Sequence, residues 1–534
     1  MVKDIGWRAL LCFLGIWLVV VSCISCAKAQ DSQPKANDSQ KDSQNTPDAL
    51  KAIDQLVKQN GQLEKQNQEL MDQIASLRRM LAKEAGVEVE TGKKQAEAAT
   101  GSKTAPDSQQ GDEPEATAKL TSSGEQPDKW GNYTPNFGYK VVNTDRGDMS
   151  ISIYSYARYL NQLGLDSTYK DALGNVKNVQ QRQDFQLNKV QIKFLGWIMD
   201  PKFRYFLYAW SSNASQGLGA QVVLAGNLSY SFSKSFNVGA GIRSLPGTRS
   251  VEGNFPFWLG VDTRLIADEF FRPSYTSGVW AWGKLGHKLD YIAMIGNNLS
   301  TLGVSAAQLN NGFNTVSTSL VWMPSTGEFG QGFGDFEDHQ KLASRLAGHF
   351  TRSDEDRQEQ PNSDQFENTQ IRLEDGTVIF VPNLFGPGIS VNDVTYKMAA
   401  FDGGLKYHGF SFEGEYFLRW LDHFHGPGTA GLPSVFSHGF QLQTSAMVLP
   451  KTLQVYLGGS TLTGNAAALD AYRARYGNPW DFRAGLNYFP YHNKVIRWNN
   501  EFLYLYKSPV GYTAVPFALG GTGPVFASTL ELAF

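Results

Sequence analysis

The sequence predicts an all-β fold: a 16-stranded antiparallel transmembrane β-barrel preceded by a short α-helical coiled coil and disordered linkers. Segments of about ten residues alternate apolar and polar side chains, as strands of membrane barrels do. The links between these segments alternate between tight turns and long polar loops. The chain also ends on FASTLELAF, in which Phe526, Leu530, Leu532 and Phe534 share one face of a strand.

Composition agrees with an all-β chain that has many turns. The 534 residues include 33 Phe, 22 Tyr, 12 Trp and 53 Gly, and aromatic residues are enriched in strands whereas glycine is typical of turns. The 48 basic residues nearly balance the 51 acidic residues, giving a net charge of -3. This balance favours neither a nucleic-acid partner nor a strongly acidic one.

The N-terminus predicts a secretory signal peptide over residues 1–29. Lys3 and Arg8 precede an apolar stretch at 9–24 that is short for a membrane span, and Ala29 follows a small residue pattern suited to cleavage. The alternative is a lipobox ending at Cys23, which would make that cysteine a lipidated N-terminus; the sequence leaves the choice open.

The predicted mature chain has no cysteine, because all three cysteines lie within the signal peptide. They are Cys12, Cys23 and Cys26. Cleavage after Ala29 therefore leaves no disulfide framework, no thiolate metal site and no cysteine nucleophile.

A heptad pattern predicts a coiled coil over residues 47–88, after a disordered polar tract at 30–46. Apolar and asparagine residues recur at spacings of three and four, which places them at the core positions a and d. The predicted core is Ile53, Leu56, Asn60, Leu63, Asn67, Leu70, Ile74, Leu77 and Leu81. An isolated helix of this kind buries its apolar seam against copies of itself, so we expect an oligomer, dimer or trimer. A second disordered linker, together with the entry to the barrel, is predicted over 89–145.

The barrel itself is predicted over residues 146–534. Short links are expected at 199–202, 233–235, 286–288, 409, 449–452 and 490–494, and a seventh link on the same side, 324–340, is longer. Long links are expected near 163–180, 211–220, 244–275, 297–311, 352–393, 421–436, 461–478 and 507–523. These links join sixteen strands, and the first and last strands both end on the short-turn side, as in bacterial outer-membrane barrels.

Side-chain parity assigns one face of each strand to lipid and the other to the interior. Val190, Ile192 and Phe194 share a face, whereas the lysines at 189 and 193 share the opposite one. An apolar strand face can contact lipid hydrocarbon. The unpaired backbone groups at an open sheet edge cannot, so the sheet must close into a barrel. Phe534 then lies on the lipid face of the closing strand and is predicted to be the assembly signal.

Four segments resemble the phosphate-selective porin O and P family. They are QRQDFQLNKVQIKFLGWIMDPKFRYFLYAW, RLIADEFFRPSYTSGVWAWGKL, FEGEYFLRW, and the end from WDFRAGLNYFPYHNK to FASTLELAF. The resemblance spans about 182–534. It implies a sixteen-stranded trimeric outer-membrane channel in which basic residues line the pore, although the family's basic positions do not align with individual residues here.

Parity alone assigns eight cations and six anions to the barrel interior. The predicted pore-lining cations are Lys189, Lys193, Arg243, Arg345, Lys406, Arg419, Arg483 and Arg497. The anions are Asp402, Glu413, Glu415, Asp481, Glu501 and Glu531. Such a balance gives a weak field, and interior pairs can neutralise each other.

The third long link, 244–275, is predicted to fold inward and form the constriction, where selectivity is set. Its basic residues are Arg249, Arg264 and Arg272, and its acidic residues are Glu252, Asp262, Asp268 and Glu269. This mixed charge suits a general pore as well as an anion pore.

The predicted function is therefore a passive porin for small hydrophilic solutes, with an anion or phosphate preference left open. The expected partners are outer-membrane lipid, small hydrophilic or anionic solutes such as phosphate, a homotrimer and peptidoglycan, but not nucleic acid. The alternative function is a structural protein that tethers the outer membrane to the cell wall through a periplasmic coiled coil. No enzyme, cofactor or metal is expected; Asp422, His423 and His425 form too small a ligand set.

Overall fold

The computed structural model describes most of the chain from residue 133 onward. The described residues are 133–134, 137–171, 173–212, 221–251, 255–302, 304, 308–309, 312–360, 370–465, 478–512 and 514–534. The predicted signal peptide, polar tract and coiled coil lie outside these ranges, as does the predicted linker up to residue 132. Its last part, the predicted barrel entry, contains strands at Tyr133–Thr134 and Gly138–Thr144.

The described chain contains twenty strands, one short α-helix and one 3-10 turn. The strands are β1 (Tyr133–Thr134), β2 (Gly138–Thr144), β3 (Gly147–Asn161), β4 (Thr168–Lys170), β5 (Val176–Asn178), β6 (Gln183–Ile198), β7 (Asp200–Ser212), β8 (Gln221–Ser233), β9 (Phe236–Ser244), β10 (Tyr275–Lys284), β11 (Leu289–Gly296), β12 (Thr315–Trp322), β13 (Ala343–Asp356), β14 (Asp393–Tyr407), β15 (Phe410–His425), β16 (Val435–Leu449), β17 (Leu453–Asn465), β18 (Trp480–Tyr488), β19 (Ile496–Tyr506) and β20 (Gly523–Ala533). The α-helix is α1 (Ile266–Phe271), and the 3-10 turn is Arg357–Glu359.

Sixteen of these strands, β3 and β6 to β20, form a closed antiparallel barrel. Each pairs with its neighbour along the chain, and β20 pairs with β3 to complete the ring. Seven links connect the strands at one end, of which 323–342 is the longest, and eight loops connect them at the other end. The prediction of a 16-stranded barrel is confirmed. Among the described residues, no helix has the length and apolarity needed to cross a membrane.

Three segments meet at the seam where the barrel closes. Tyr154 on β3 pairs with Ala533 on β20, and the backbone of Ile153 exchanges hydrogen bonds with Phe534 at 2.8 and 3.0 Å. Beyond Phe534, β2 takes over as the neighbour of β3. The ring of Tyr139 on β2 lies 5.5 Å from the ring of Phe534 in an edge-on arrangement. The last residue is therefore held on two sides.

The barrel is polar inside and apolar outside, and β15 shows this residue by residue. Phe410, Phe412 and Tyr416 point outward and are 40–49% exposed. Between them, Glu413 and Glu415 point inward and are at most 5% exposed. Alternation with a period of two forces this segregation once the sheet is closed.

A bulge in β6 places two consecutive residues on the inner face. Asn188 and Lys189 are both buried, and Lys189 adopts a left-handed backbone conformation with φ of 56°. Opposite them, the register shifts between Tyr154 and Tyr156 on β3. A bulge adds one residue to one strand only, so strict parity along β6 fails at this point.

The hydrophobic core of the described chain lies inside the barrel towards the long-loop end. The loops contribute residues such as Leu373 and Phe517, and inward strand positions contribute Phe417 and Leu503. The described loop residues of this core therefore pack against the inner wall.

Candidate functional site

The loop between β9 and β10 lies inside the barrel over its described residues, 245–251 and 255–274, and we refer to these as the inward loop. Its helix α1 is buried along its whole length. The backbone amide of Ala267 donates to Ser460 on β17 at 3.0 Å, and the ring of Phe271 stacks on Phe417 of β15 at 5.3 Å. The inward loop is thus attached to the inner wall through both its polar and its apolar groups.

Arginine side chains of the wall hold the inward loop by its backbone carbonyls. Arg158 on β3 donates to the carbonyl of Val261 at 3.0 Å. Arg497 on β19 donates to the carbonyl of Trp258 at 2.6 Å, and Arg483 on β18 donates to the carbonyl of Thr263 at 3.1 Å. A guanidinium presents several donors in a rigid fork, so it can hold a carbonyl and a carboxylate together.

Two of these arginines also bind a wall carboxylate. Arg497 contacts both carboxylate oxygens of Glu531, at 2.6 and 2.9 Å, and Arg483 lies 3.2 Å from Glu501. All four of these predicted interior residues are buried. The structure therefore places Arg483 and Arg497 on the inner face, where they support the inward loop.

The inward loop forms an ion-pair cluster of its own. Glu269 accepts from Arg264 at 2.8 Å and from Arg272 at 2.9 Å, and it also accepts from the Tyr512 hydroxyl at 3.2 Å. Burial alone would raise the pKa of Glu269, but the two guanidiniums outweigh it and lower that pKa to about 2. Arg264 also lies over the ring of Trp258, 3.8 Å from its centroid. The cluster pairs two guanidiniums with one carboxylate, so these three residues together keep one positive charge.

Arg249 links the inward loop to two wall carboxylates. Its Nε donates to Glu413 at 3.2 Å, and its backbone amide donates to Glu415 at 2.9 Å. Its Nη2 donates to the carbonyl of Gly332, at 2.8 Å, in the long turn between β12 and β13. Lys406 on β14 donates to the same carbonyl at 3.0 Å. Glu252, the remaining predicted acidic residue of this loop, lies outside the described residues.

Lys189 is paired across the interior with the inward loop. Its ammonium lies 2.7 Å from Oδ1 of Asp262, and the other oxygen of Asp262 accepts from the Tyr156 hydroxyl at 2.9 Å. The rings of Trp210 and Phe255 flank the same ammonium at 4.9 and 4.8 Å. Lys189 therefore helps to position the inward loop.

Lys193 differs from Lys189 although both are inward residues of β6. It is 7% exposed, and within the described residues no carboxylate, hydroxyl or carbonyl contacts its ammonium. Two further inward atoms of β6, Oδ1 of Asn188 and Oε1 of Gln191, are also buried without a protein partner. Buried polar groups without protein partners commonly bind water. The inner face of β6 therefore presents a row of polar groups to the barrel interior.

Arg345, Asp402 and His349 form a compact network on β13 and β14. Arg345 donates to both oxygens of Asp402 at 2.7 and 3.2 Å. One ring nitrogen of His349 lies 2.7 Å from Asp402, and the other lies 3.0 Å from the carbonyl of Pro246 in the inward loop. With Glu415, His349 and Asp402 form the one group of metal-ligand type found within the described ranges. Since Arg345 already occupies both oxygens of Asp402, the geometry fits an ion-pair network better than a metal site.

The remaining predicted cations also face inward. Arg419 donates to the carbonyl of Arg372 and to Ser437, and it lies over the ring of Phe270 at 4.2 Å. Arg243 lies over the ring of Trp280 at 5.5 Å. Of the predicted anions, Asp481 accepts from the backbone amide of Ile266 in α1.

Arg158 and His349 are among the buried interior residues that sequence reasoning missed. Arg158 lies in SISIYSYARYLN, where aromatic residues occupy both faces and parity gives no clear inner side. His349 shares parity with Arg345, so the same alternation could have identified it. Asp422, His423 and His425, which were considered from the sequence as metal ligands, lie at the end of β15. In the structure the Asp422 carboxylate pairs with Lys397 at 2.8 Å and with His423 at 2.7 Å.

Of the comparisons with known proteins, only the comparison with solved structures finds similar proteins. Neither a family model nor a curated protein sequence matches the chain. Membership of the phosphate-selective porin O and P family is therefore not confirmed and stays a prediction.

Three solved structures illustrate the likeness. The outer membrane channel DcaP of Acinetobacter baumannii is 9% identical with a TM-score of 0.45, covering 74% of this chain and 99% of that one. An anion-selective porin from Comamonas acidovorans is 9% identical with a TM-score of 0.43, covering 73% and 100%. Salmonella typhi OmpF in complex with daunomycin is 12% identical with a TM-score of 0.39, covering 74% and 100%. At these values no functional conclusion rests on the likeness.

Proposed function

We propose that this chain is an outer-membrane porin, a passive diffusion channel for small hydrophilic solutes. The observation that carries the proposal is the reversed polarity of a closed barrel, with Glu413 and Glu415 inside and Phe410 and Phe412 outside. A soluble protein buries its apolar side chains, whereas a barrel in lipid exposes them and keeps its polar groups within. Sixteen strands also match the size of barrels that contain a water-filled channel.

The orientation follows from the loops. In bacterial outer-membrane barrels the short turns face the periplasm and the long loops face outward. The end with links such as 234–235 and 408–409 would then be periplasmic, and the ends of β3 and β20 that meet there would place the predicted coiled coil in the periplasm. We further propose that the barrel forms a homotrimer.

Lys193 is the residue that favours an anion preference. Arg345, Arg483 and Arg497 each have a carboxylate partner, so their charges are neutralised locally. The ammonium of Lys193 has none within the described part of the chain, and a passing anion would meet it as an uncompensated charge. A preference for phosphate among anions rests only on the sequence resemblance.

The test is the reversal potential of single channels in a salt gradient, measured for the wild type and for Lys193→Gln and Lys193→Glu. We expect the glutamine variant to weaken anion preference and the glutamate variant to shift the channel towards cations. The shift should shrink at 1 M salt, where the Debye length is about 3 Å. Asp200→Asn, in the turn-proximal part of β7, serves as a charge-changing control. A wild-type reversal potential that shows no anion preference would refute the preference, and an unchanged reversal potential in Lys193→Glu would refute the role of Lys193 in it.

The close packing of the barrel interior supports the alternative function, that of a structural protein. In that alternative the barrel anchors the predicted coiled coil to the outer membrane, and peptidoglycan is the partner. Its support is that cations such as Arg158, Lys406 and Arg483 are at most 1% exposed. Folded, inserted barrels that conduct no ions under any condition would favour the anchor over the channel.

A further inference from the structure

The turn between β12 and β13, residues 323–342, is much longer than the other turns at its end of the barrel, and its middle part folds into the interior. We refer to the whole turn, residues 323–342, as the plug. Its sequence FGQGFGDF carries Gly330, Gly332 and Gly334, all with positive φ between 70° and 82°. A Cβ on Gly332 would lie 2.3 Å from the carbonyl oxygen of Phe257 in the inward loop. Glycine is therefore required where the plug reaches that loop.

The tip of the plug binds the inward loop and two buried cations. The backbone amide of Phe333 donates to the carbonyl of Phe257 at 2.9 Å. The carbonyl of Gly332 accepts from Arg249 Nη2 at 2.8 Å and from Lys406 Nζ at 3.0 Å. Two cations thus converge on one oxygen, an arrangement that suits an anion and here holds a neutral carbonyl.

Aromatic rings of the plug cover the same two cations. The ammonium of Lys406 lies over the ring of Phe329 at 4.6 Å. The guanidinium of Arg249 lies over the ring of Phe329 at 5.6 Å and over that of Phe333 at 5.0 Å. Cation–π contacts stabilise a desolvated cation more strongly than an exposed one. Arg249 also retains its bonds to Glu413 and Glu415.

The base of the plug is fastened by charged groups at the rim. The fully buried Asp335 accepts from the backbone amides of His339 and Gly409, at 3.1 and 2.9 Å, and pairs with the His339 ring. Glu337 pairs with Lys494 of the turn between β18 and β19 at 2.7 Å. The latter pair is partly exposed, so it can break without unfolding the barrel.

We propose that the plug is a gate that competes with a permeating oxyanion for Arg249 and Lys406. In the closed state the Gly332 carbonyl occupies the position between the two cations. In the open state the plug withdraws towards the periplasm, and an oxyanion such as phosphate takes the place of the carbonyl, with the stronger hydrogen bonds that a charged acceptor forms. The gate rests on the proposed channel function, since a gate has a role only in a barrel that conducts.

The first test locks the plug to the inward loop in the full-length protein. The predicted mature chain has no cysteine, so Phe257→Cys with Phe333→Cys introduces one possible intramolecular disulfide. We expect oxidised channels to be closed and reduced channels to conduct like the two single-cysteine controls. Equal conductance in the oxidised and reduced states, with the disulfide verified, would overturn the gate.

The second test opens the gate and separates its failure from failure of the channel function. Replacing residues 326–340 with a short Gly-Ser linker should raise the open fraction, and Lys494→Glu should do so by about tenfold, the scale of one lost charge-assisted bond. The swap of Lys494→Glu with Glu337→Lys should restore closure. Plug-deleted barrels that insert, fold and conduct like the wild type would overturn the gate alone. Inserted plug-deleted barrels without conductance would overturn the channel function and the gate together.

The third test addresses competition by the anion. At constant ionic strength, replacing chloride with inorganic phosphate should raise the open fraction of the wild type, and Lys406→Gln should abolish that response. Lys451→Gln, an exposed change in the turn between β16 and β17 at the same end of the barrel, is the matched control and should keep the response. An open fraction that is the same in chloride and phosphate would refute the competition.

Discussion

Lys189 of the barrel wall and Asp262 of the inward loop are joined by a buried ion pair of 2.7 Å. The pair connects residues 73 positions apart, and the Tyr156 hydroxyl completes the environment of the carboxylate. Lys193, two inward positions away on the same strand, has no such partner in the described structure. Two lysines with the same parity therefore have different roles.

The first prediction concerns this pair. Lys189→Glu should destabilise the barrel by about 3–5 kcal/mol, because it places two carboxylates together in a buried site. Combining it with Asp262→Lys should recover part of the loss. Urea unfolding of the refolded barrel measures the effect, with Lys193→Glu as the comparison expected to cost less. Equal losses for the two single variants would contradict the structural role of Lys189.

The second prediction concerns the support of the inward loop. Arg497→Lys should lose the two-oxygen contact with Glu531 or the bond to the Trp258 carbonyl, since one ammonium cannot reproduce the fork. Each lost buried hydrogen bond costs about 1–3 kcal/mol. Limited proteolysis within 245–274 should become faster. Arg352→Lys, an exposed pair with Asp354, should leave that rate unchanged.

The third prediction concerns the seam. Deleting Phe534 should reduce the amount of folded, heat-modifiable barrel while leaving secretion intact, because both its backbone pairing with Ile153 and its ring contact with Tyr139 are lost. Phe534→Tyr, which preserves the ring, should assemble normally. Wild-type levels of folded barrel in the deletion would argue against an assembly role.

The fourth prediction concerns pH and the plug. Burial alone would lower the pKa of His339, but hydrogen bonds to Asp335 and Glu328 outweigh it and raise that pKa from 6.5 to about 9. A raised pKa means that the protonated ring stabilises the plug fully below pH 6.5 and that this stabilisation is lost as the pH rises through about 9. Other titratable groups lie nearby: Glu337 is paired with Lys494, and His408 lies 4.0 Å from Asp338.

Channel open fraction should accordingly rise between pH 6.5 and 9. His339→Gln should remove most of this dependence, whereas His492→Gln, at an exposed site in another turn, should retain it. A wild-type channel whose open fraction falls over this range would contradict the assignment.

The fifth prediction concerns the coiled coil, which lies outside the described residues. Replacing Leu63 and Leu70 with Asp should abolish self-association of an isolated 47–88 peptide, because both occupy d positions. Analytical ultracentrifugation measures the association. A wild-type peptide that stays monomeric at high concentration would refute the heptad assignment.

Strand number and face were predictable because alternation is a local property. Residues such as Phe410 and Glu413 carry their orientation in their own neighbours. The ion-pair partner of each inner residue was not predictable. The sequence around Lys189 does not indicate Asp262, because the path of the inward loop decides which carboxylate lies beside the lysine. The bulge at Asn188 was hidden for the same reason, because it depends on pairing with β3.

The plug was recognised in the sequence only as a longer turn. Phe329 and Phe333 have neither helical nor strand periodicity, and the glycines between them are equally common in exposed loops. Their inward path depends on Arg249 and Lys406, which belong to other parts of the chain. A glycine repeat flanked by phenylalanines within a turn is the signal that could have drawn attention to it.

The closing seam has a consequence for the order of folding. Ser152 and Phe534, which meet there, are 382 residues apart in sequence, whereas most other neighbouring strands are joined by a single hairpin. Closing a loop of this size carries a large entropy cost before any contact forms, so hairpins should appear early and the ring last. Until translocation of the final strand is complete, β3 and the growing edge both stay open, and each can pair with another chain. The time between synthesis of β3 and arrival of Phe534 is therefore the interval in which we expect the chain to depend on periplasmic chaperones.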